Sequence, residues 1–263
     1  MKSPRYKIVL LGAGNVATHL GLALKKSGQP IVQVYSRQFE NAVGLAKKLN
    51  CGYTDSLKTI DKTADVYIIA VKDDVVGEIA KLLKLKNKIV VHTSGSVDMN
   101  VLKTASANYG VFYPLQTFSK SNKVNIKAVP FCLEASNSKT LKSLTVLAEN
   151  ISNNVLEINS EQRKTIHLAA VFACNFSNHM YAIADVLLKA NNLSLDILKP
   201  LIEETAKKIQ HASPVEMQTG PAKRKDKNTM NKHLQLLGNR KEYKKMYRLL
   251  SKSIMDLDKQ KKN

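Results

Sequence analysis

The stretch Lys7-Ile8-Val9-Leu10-Leu11-Gly12-Ala13-Gly14-Asn15-Val16-Ala17 decides the fold. Ile8 to Leu11 are apolar and read as a buried strand. They meet a glycine pair, and a helical pattern follows at once, with Val16, Leu20, Leu22, Ala23 and Leu24 apolar and Lys25 and Lys26 near its end. Strand, tight turn and helix form the context in which Gly-x-Gly-x-x-Ala holds a dinucleotide. Gly12 permits the turn, Gly14 lets a pyrophosphate approach the backbone, and Ala17 lets the helix pack close to the strand. The helix N-terminus, opened by Asn15 and Val16 after Ala13, offers free N–H groups and a partial positive charge to the phosphates. The alternative for the same residues is an ordinary turn with no phosphate on it.

Outward from this motif the chain alternates strand and helix. Pro30 to Ser36 read as strand two, Gln38 to Leu49 as a helix, and Cys51 to Thr54 as a short strand. Asp65 to Val71 is a buried strand, with a helix from about Asp74 to Leu83, and Lys88 to His92 is the next strand. A short helix is expected over Val97 to Thr104, strands over Gly110 to Tyr113 and Val129 to Glu134, a helix over Ser138 to Ile151, and a strand over Val155 to Ile158. After Asn159 the strand patterns stop. A long helix is expected from Ser160 to about Ala190, capped by Asn159 or Ser160. Further helices are expected over about Asp196 to His211, Asp226 to Leu237 and Arg240 to Leu257, with a frayed lysine-rich end at Lys259 to Asn263. The class this implies is an α/β Rossmann fold, a doubly wound and mostly parallel sheet, followed by an all-α C-terminal domain. The boundary is a change of class: residues 1–159 form the nucleotide-binding domain, and 160–263 a helical domain for dimerisation and substrate.

The chain has 263 residues, enough for this division with a real core in each part. No apolar run approaches the roughly 20 residues of a membrane helix. Lys2 and Arg5 ahead of an apolar run faintly mimic a signal peptide, but the run is short and meets glycines, so strand one explains it better. Three scattered cysteines, Cys51, Cys132 and Cys174, make neither a disulfide framework nor a zinc site and point to a reducing cytoplasm. The formal charge of +20 raises nucleic acid as a partner. The lysines are spread along the chain, except that the last 42 residues hold 14 Lys/Arg against 4 Asp/Glu, and no nucleic-acid module is visible. Compositional drift is the preferred reading, and neither nucleic acid nor membrane is expected as a partner. The six histidines make no i, i+4 pair, so no metal site is expected.

The cofactor follows from the end of strand two. NAD-binding sheets place a carboxylate there for the ribose 2′-hydroxyl. Here the strand ends Tyr35-Ser36-Arg37. Ser36 can hydrogen-bond a phosphate, and Arg37 presents a charged planar fork that suits a 2′-phosphate, so NADP(H) is preferred over NAD(H). The alternative makes Arg37 a solvent-exposed residue at a helix start. Val71 and Lys72 end the next central strand, where the sheet's carboxyl edge meets a ligand, and Asp73 or Asp74 is expected to cap the following helix. Thr93-Ser94-Gly95-Ser96 sits at the same edge. It reads equally as a holder of a substrate anion and as a turn with an N-cap, and His92 as a strand residue.

These motifs in this order resemble the NADP oxidoreductases of the pyrroline-carboxylate reductase, deazaflavin-dependent and β-hydroxyacid dehydrogenase type. His-Leu-Ala-Ala-Val-Phe-Ala-Cys-Asn-Phe at 167–176 and Thr-Gly-Pro-Ala-Lys-Arg-Lys-Asp at 219–226 are similar to a branch whose helical C-terminal domain is of unknown function. The resemblance spans nearly the whole chain. It implies an NADP-binding domain, a helical dimerisation and substrate domain, and oxidoreductase activity. A homodimer built by the helical half is expected from the long helix over about Glu161 to Ala190, rich in Ala, Val, Phe and Met, which one small domain would struggle to cover. In β-hydroxyacid dehydrogenases and ketopantoate-type reductases the first helix after the sheet carries a catalytic lysine, an asparagine one turn on, and in some another a turn further. The matching positions here are His167, Val171 and Asn175, so lysine is replaced by histidine and the nearer asparagine by valine.

At 100° per residue, His167, Asn175 and Asn178 fall within about 80° of helix arc. One face can present all three, and histidine can do acid/base work near neutral pH. The alternative places them in a polar helix–helix or dimer contact. The expected activity is NADP(H)-dependent oxidation or reduction of a small carbonyl, imine or hydroxyacid in a cleft between the domains. The rival is a protein that binds NADP without turnover, as a sensor or partner-binding module.

Overall fold

The structure is a computed structural model that describes residues 4–260, with side chains through residue 257. The lysine-rich end expected to fray, Lys259 to Asn263, lies outside the described side chains, and residues 261–263 lie outside the described residues altogether. The chain divides into two compact units, Met1–His179 and Met180–Asn263.

The first unit is built on an eight-stranded sheet. Its strands are β1 (Ile8–Leu11), β2 (Ile31–Tyr35), β3 (Gly52–Thr54), β4 (Val66–Ile69), β5 (Ile89–His92), β6 (Asn108–Pro114), β7 (Pro130–Ala135) and β8 (Asn154–Glu157). They lie in the order β3-β2-β1-β4-β5-β6-β7-β8, all parallel except the antiparallel pair β6–β7. Every residue of β1 and β4 is buried, the signature of parallel strands covered on both faces.

The two-residue alternation of a strand sorts the core into two layers. Ile8 and Leu10 face one cluster, with Leu20 and Leu24 of α1 (Asn15–Lys26), Leu45 and Leu49 of α2 (Phe39–Leu49), and Leu144 and Leu147 of α4 (Ser138–Glu149). Val9 and Leu11 face the other, with Val76 and Ile79 of α3 (Asp73–Leu82) and with Leu102. Strand order reverses at β1, with β2 on one side and β4 on the other. A doubly wound sheet opens its ligand crevice at the carboxyl ends of such strands.

The segment expected as a helix over Val97 to Thr104 is a short 3-10 turn, Met99–Leu102, capped by Asp98, whose Oδ1 accepts from Asn100 N at 2.8 Å. After β8 comes α5 (Ser160–Ala170). Asn159, one of the two expected caps, opens it with a reciprocal capping box: its Oδ1 accepts from Gln162 N, and Gln162 Oε1 accepts from Asn159 N. The long helix is interrupted by one π-helical stretch, Val171–Phe176, before α6 (Ser177–Lys189). The class changes from sheet to helix at Ser160, while the division between compact units falls inside α6.

The second unit contains most of α6, a 3-10 turn at Leu195–Leu198, α7 (Lys199–Lys208), α8 (Lys227–Leu236) and α9 (Lys241–Gln260). Asp226 caps α8, accepting from Thr229 N at 3.0 Å, and His233 Nδ1 meets the Tyr247 hydroxyl at 2.9 Å to tie α8 to α9. No helix among the described residues is long and apolar enough to cross a membrane.

Candidate functional site

The glycine turn sits at the carboxyl end of β1. Gly12 adopts φ +126°, and a Cβ there would fall 2.1 Å from the carbonyl oxygen of Ala70, so only glycine fits. Its N–H donates to the carbonyl of Tyr35 at 2.8 Å, which ties the turn to the end of β2. Gly14 is the N-cap of α1. No side chain caps that helix, and no acidic residue lies in its first turn. A Cβ on Gly14 would meet nothing within 4 Å. The first N–H groups of α1 therefore face open space with no carboxylate to compete for them. This cradle fits a pyrophosphate.

The open space is one cavity of about 600 Å³, of the size that holds small ligands and cofactors. Gly12, Ala13, Gly14, Asn15 and Val16 form its glycine-turn wall. Ser36 and Arg37, past the end of β2, line one end, and Arg37 is exposed. Val71 and Lys72 come from the end of β4, Thr93, Ser94 and Gly95 from the end of β5, and Tyr113 and His167 are also among the lining residues. Every residue singled out in sequence for the cofactor borders this cavity, together with His167. Behind the glycine turn, the segment after β6 lies over the start of α1. Asn15 Nδ2 donates to the Phe118 carbonyl at 2.9 Å, and the His19 ring stacks on Phe118 at 5.0 Å between centroids.

The Thr93–Ser96 corner is a built turn. Ser94 Oγ accepts from the backbone N–H groups of Ser96 and Val97, each at 3.1 Å. The expected capping of α3 by Asp73 or Asp74 does not occur. Lys72 is the N-cap, with no side-chain cap hydrogen bond, and the Asp73 carboxylate instead accepts from the Ser96 hydroxyl. That bond ties the β5 corner to the start of α3.

Beneath this corner lies a buried polar cluster. Arg163 of α5 is wholly buried. Its Nη1 donates to the Ser94 carbonyl at 3.1 Å, and its Nη2 meets Glu134 Oε2 of β7 at 3.3 Å. Ser160 donates to the same carboxylate at 2.8 and 2.9 Å. Arg163 thus clamps α5 to the ends of β5 and β7. His92, also wholly buried, accepts from Ser94 N through Nδ1 at 3.2 Å, and its Nε2 has no hydrogen-bond partner among the described residues. Burial, and next the Arg163 charge, push the His92 pKa down to about 4, so the ring is neutral at pH 7. Burial pushes the Tyr113 hydroxyl up to about 12 and also raises the Cys132 thiol.

His167 lies one turn beyond Arg163 on α5. Its Nδ1 is 3.0 Å from the Tyr113 hydroxyl, and its ring packs against Gly95. A Cβ on Gly95 would fall 2.5 Å from Nδ1 and 2.7 Å from Cγ, so the imidazole occupies the space a side chain would take. Asn175 and Asn178 are exposed and do not line the cavity. The π-helical stretch, which contains Asn175 and precedes Asn178, absorbs about one extra residue, a rotation of about 100° over its length, so the regular-helix arc does not describe these three residues. Two residues of the site, Tyr113 and the buried Arg163, were not read as such in sequence, and Gly95, read as part of the edge turn, was not expected to pack against His167. Gly95 beside an edge serine was the available signal for that close approach. Among the described residues no group of three His, Cys, Asp or Glu could hold a metal ion.

Sheet order, glycine cradle and cavity define a nucleotide-binding α/β protein of the NAD(P) type. Comparison with known proteins specifies this class further. Residues 7–95 match the family model described as "NADP oxidoreductase coenzyme F420-dependent", and residues 129–254 the one described as "Domain of unknown function (DUF2520)". A structure from Bacteroides fragilis designated an NADP oxidoreductase is 46% identical, covers 96% of this chain and 98% of its own, and superposes with a TM-score of 0.92. The chain belongs to this NADP oxidoreductase family, and NADP is the family's cofactor, as the sequence led us to expect. Two further structures share the fold. A protein from Thermotoga maritima is 23% identical over 97% of this chain and 100% of its own, with a TM-score of 0.71. The 1-pyrroline-5-carboxylate reductase of Streptococcus pyogenes is 15% identical over 96% and 99%, with a TM-score of 0.61. The comparison with curated proteins gave no match.

Proposed function

We propose that the chain is an NADP(H)-dependent oxidoreductase acting on a small carbonyl, imine or hydroxyacid. The carrying observation is continuity: one cavity runs from Arg37 and Ser36, past the glycine turn, to Thr93, Ser94, Tyr113 and His167. In this reading the uncapped N-terminus of α1 binds the pyrophosphate, and Arg37 and Ser36 bind the 2′-phosphate. Bound NADPH supplies the hydride. The chain's own residues then have three tasks. Val71 and Lys72 border the cofactor at the β4 edge. Thr93 and the Ser94–Ser96 corner, held by Arg163, shape the floor. His167 meets the reacting oxygen or nitrogen of the substrate and moves the proton there. Asn175 within the π turn and Asn178 just past it, both exposed, are assigned to contacts of the helical region.

The exposed apolar residues Leu168, Phe172 and Phe176 along α5 and the π turn support a homodimer as the working form, since a monomer would leave these rings in water. Three free cysteines suit a reducing, cytoplasmic setting.

NADPH consumption over a panel of small oxoacids, aldehydes, ketones and cyclic imines tests the reading. Turnover of one class that is lost in His167→Ala, with NADPH affinity retained, supports it. Tight NADPH binding without turnover across the panel would replace it with the sensor reading.

A further inference from the structure

The hydrogen bond between Tyr113 and His167 can run in either direction, according to the imidazole tautomer. Tyr113 is buried at the carboxyl end of β6 and borders the cavity, and its one described hydrogen bond is to His167 Nδ1. A hydroxyl proton seeks an acceptor, and Nδ1 is the one within reach. The raised pKa keeps that proton on the oxygen, and Nδ1 of a neutral imidazole can take its hydrogen bond. The ring proton must then sit on Nε2. Gly95 packs against the ring near Nδ1 and Cγ, where no Cβ fits. Tyr113, Gly95 and the α5 backbone together leave the imidazole one seat.

We propose that Tyr113 is a positioning residue that fixes neutral His167 as the Nε2–H tautomer, so that His167 offers a hydrogen-bond donor to the ligand, and that the ligand atom it meets is an acceptor, a carbonyl oxygen in preference to a preformed iminium. A carbonyl oxygen has the lone pairs this donor needs. A protonated iminium carries its own N–H and would face the Nε2 proton. This substrate class rests on the proposed function above, whereas the tautomer belongs to the free protein and stands apart from it.

The test uses ¹⁵N-labelled full-length protein at a pH of about 8, where ordinary histidines are neutral. Long-range ¹H–¹⁵N correlation of the imidazoles reads the tautomer, and His167 is assigned by the signal missing from His167→Gln. The expected wild-type pattern is an unprotonated Nδ1 and a protonated Nε2. Tyr113→Phe removes only the hydroxyl, and Gly95→Ala displaces the ring independently. Each should convert the single form to a mixture. Tyr113→Phe should also lower kcat for carbonyl substrates by roughly tenfold to a hundredfold, with NADPH affinity changed by less than about twofold. A wild-type His167 protonated on Nδ1, or a tautomer unmoved in Tyr113→Phe, overturns the proposal. So does an altered tautomer with undiminished kcat, or turnover confined to preformed iminium substrates. An absence of any turnover, with the tautomer as expected, would count against the proposed function while leaving the tautomer assignment in place.

Discussion

Removing the Glu134 carboxylate should cost far more than removing its partner Arg163. The guanidinium is wholly buried, while the Glu134 side chain keeps 15% of its surface exposed. At 3.3 Å, with an effective dielectric constant of about 20, their gross attraction is about 5 kcal/mol. Much of that offsets the loss of hydration on burial. Glu134→Ala leaves a cation in the core with one carbonyl and one hydroxyl for company, and should destabilise the protein by about 3–5 kcal/mol. Arg163→Met keeps most of the volume and leaves a carboxylate that still accepts from Ser160 and reaches water, so its cost should be about 1–2 kcal/mol. The double variant should then resemble Arg163→Met, giving a coupling of at least about 2 kcal/mol. Urea unfolding followed by far-UV circular dichroism measures all three, since the chain has no tryptophan to report. Equal costs for the two single variants, or simple additivity in the double, would refute the account of Arg163 as a buried charge held by one carboxylate.

Two other outcomes follow from the same geometry. His92 has a folded-state pKa depressed to about 4, below its unfolded value. Its contribution is therefore fully present above about pH 6.5 and is lost as pH falls toward 4, because the unfolded chain binds the extra proton first; the loss is about 2–3 kcal/mol. His92→Asn keeps an acceptor for Ser94 N and should flatten that part of the stability–pH profile, and a profile unchanged from wild type would count against it. Replacing Leu168 and Phe172 with Asp should convert a dimer to monomers in sedimentation at micromolar concentration without loss of helical signal. A wild-type monomer would remove the basis for that expectation.

Most of the sheet was legible because its signals are local. The apolar runs at Ile8–Leu11 and Val66–Ile69 are continuous, the glycine turn has a strand before it and a helix after it, and the alternation of strand and helix signals a mostly parallel sheet. The residues that build the cavity wall were legible for the same reason, since strand ends and helix starts can be counted along the chain. The site's far end was less so. Tyr113 reads as one more strand aromatic, and only the packing of α5 brings His167 to its hydroxyl. Arg163 lies in a polar first turn and looks solvated until Glu134, 29 residues earlier, closes over it. The π stretch at Val171–Phe176 has an apolar composition that fits a regular helix equally well, so the shift in phase that separates Asn175 and Asn178 from a regular-helix arc left no mark in the sequence. Asp73 met every rule for a cap and was claimed instead by Ser96 across a tertiary contact.

The central claim is that the cavity takes NADP(H) with Arg37 on its 2′-phosphate. Calorimetric titration of the purified full-length protein with NADPH and with NADH, for wild type and Arg37→Ala, tests it most directly. We expect wild type to bind NADPH at least about tenfold more tightly, about 1.4 kcal/mol, and Arg37→Ala to lose most of that preference while keeping its NADH affinity. Equal affinities in the wild type, or a preference undiminished in Arg37→Ala, would contradict it.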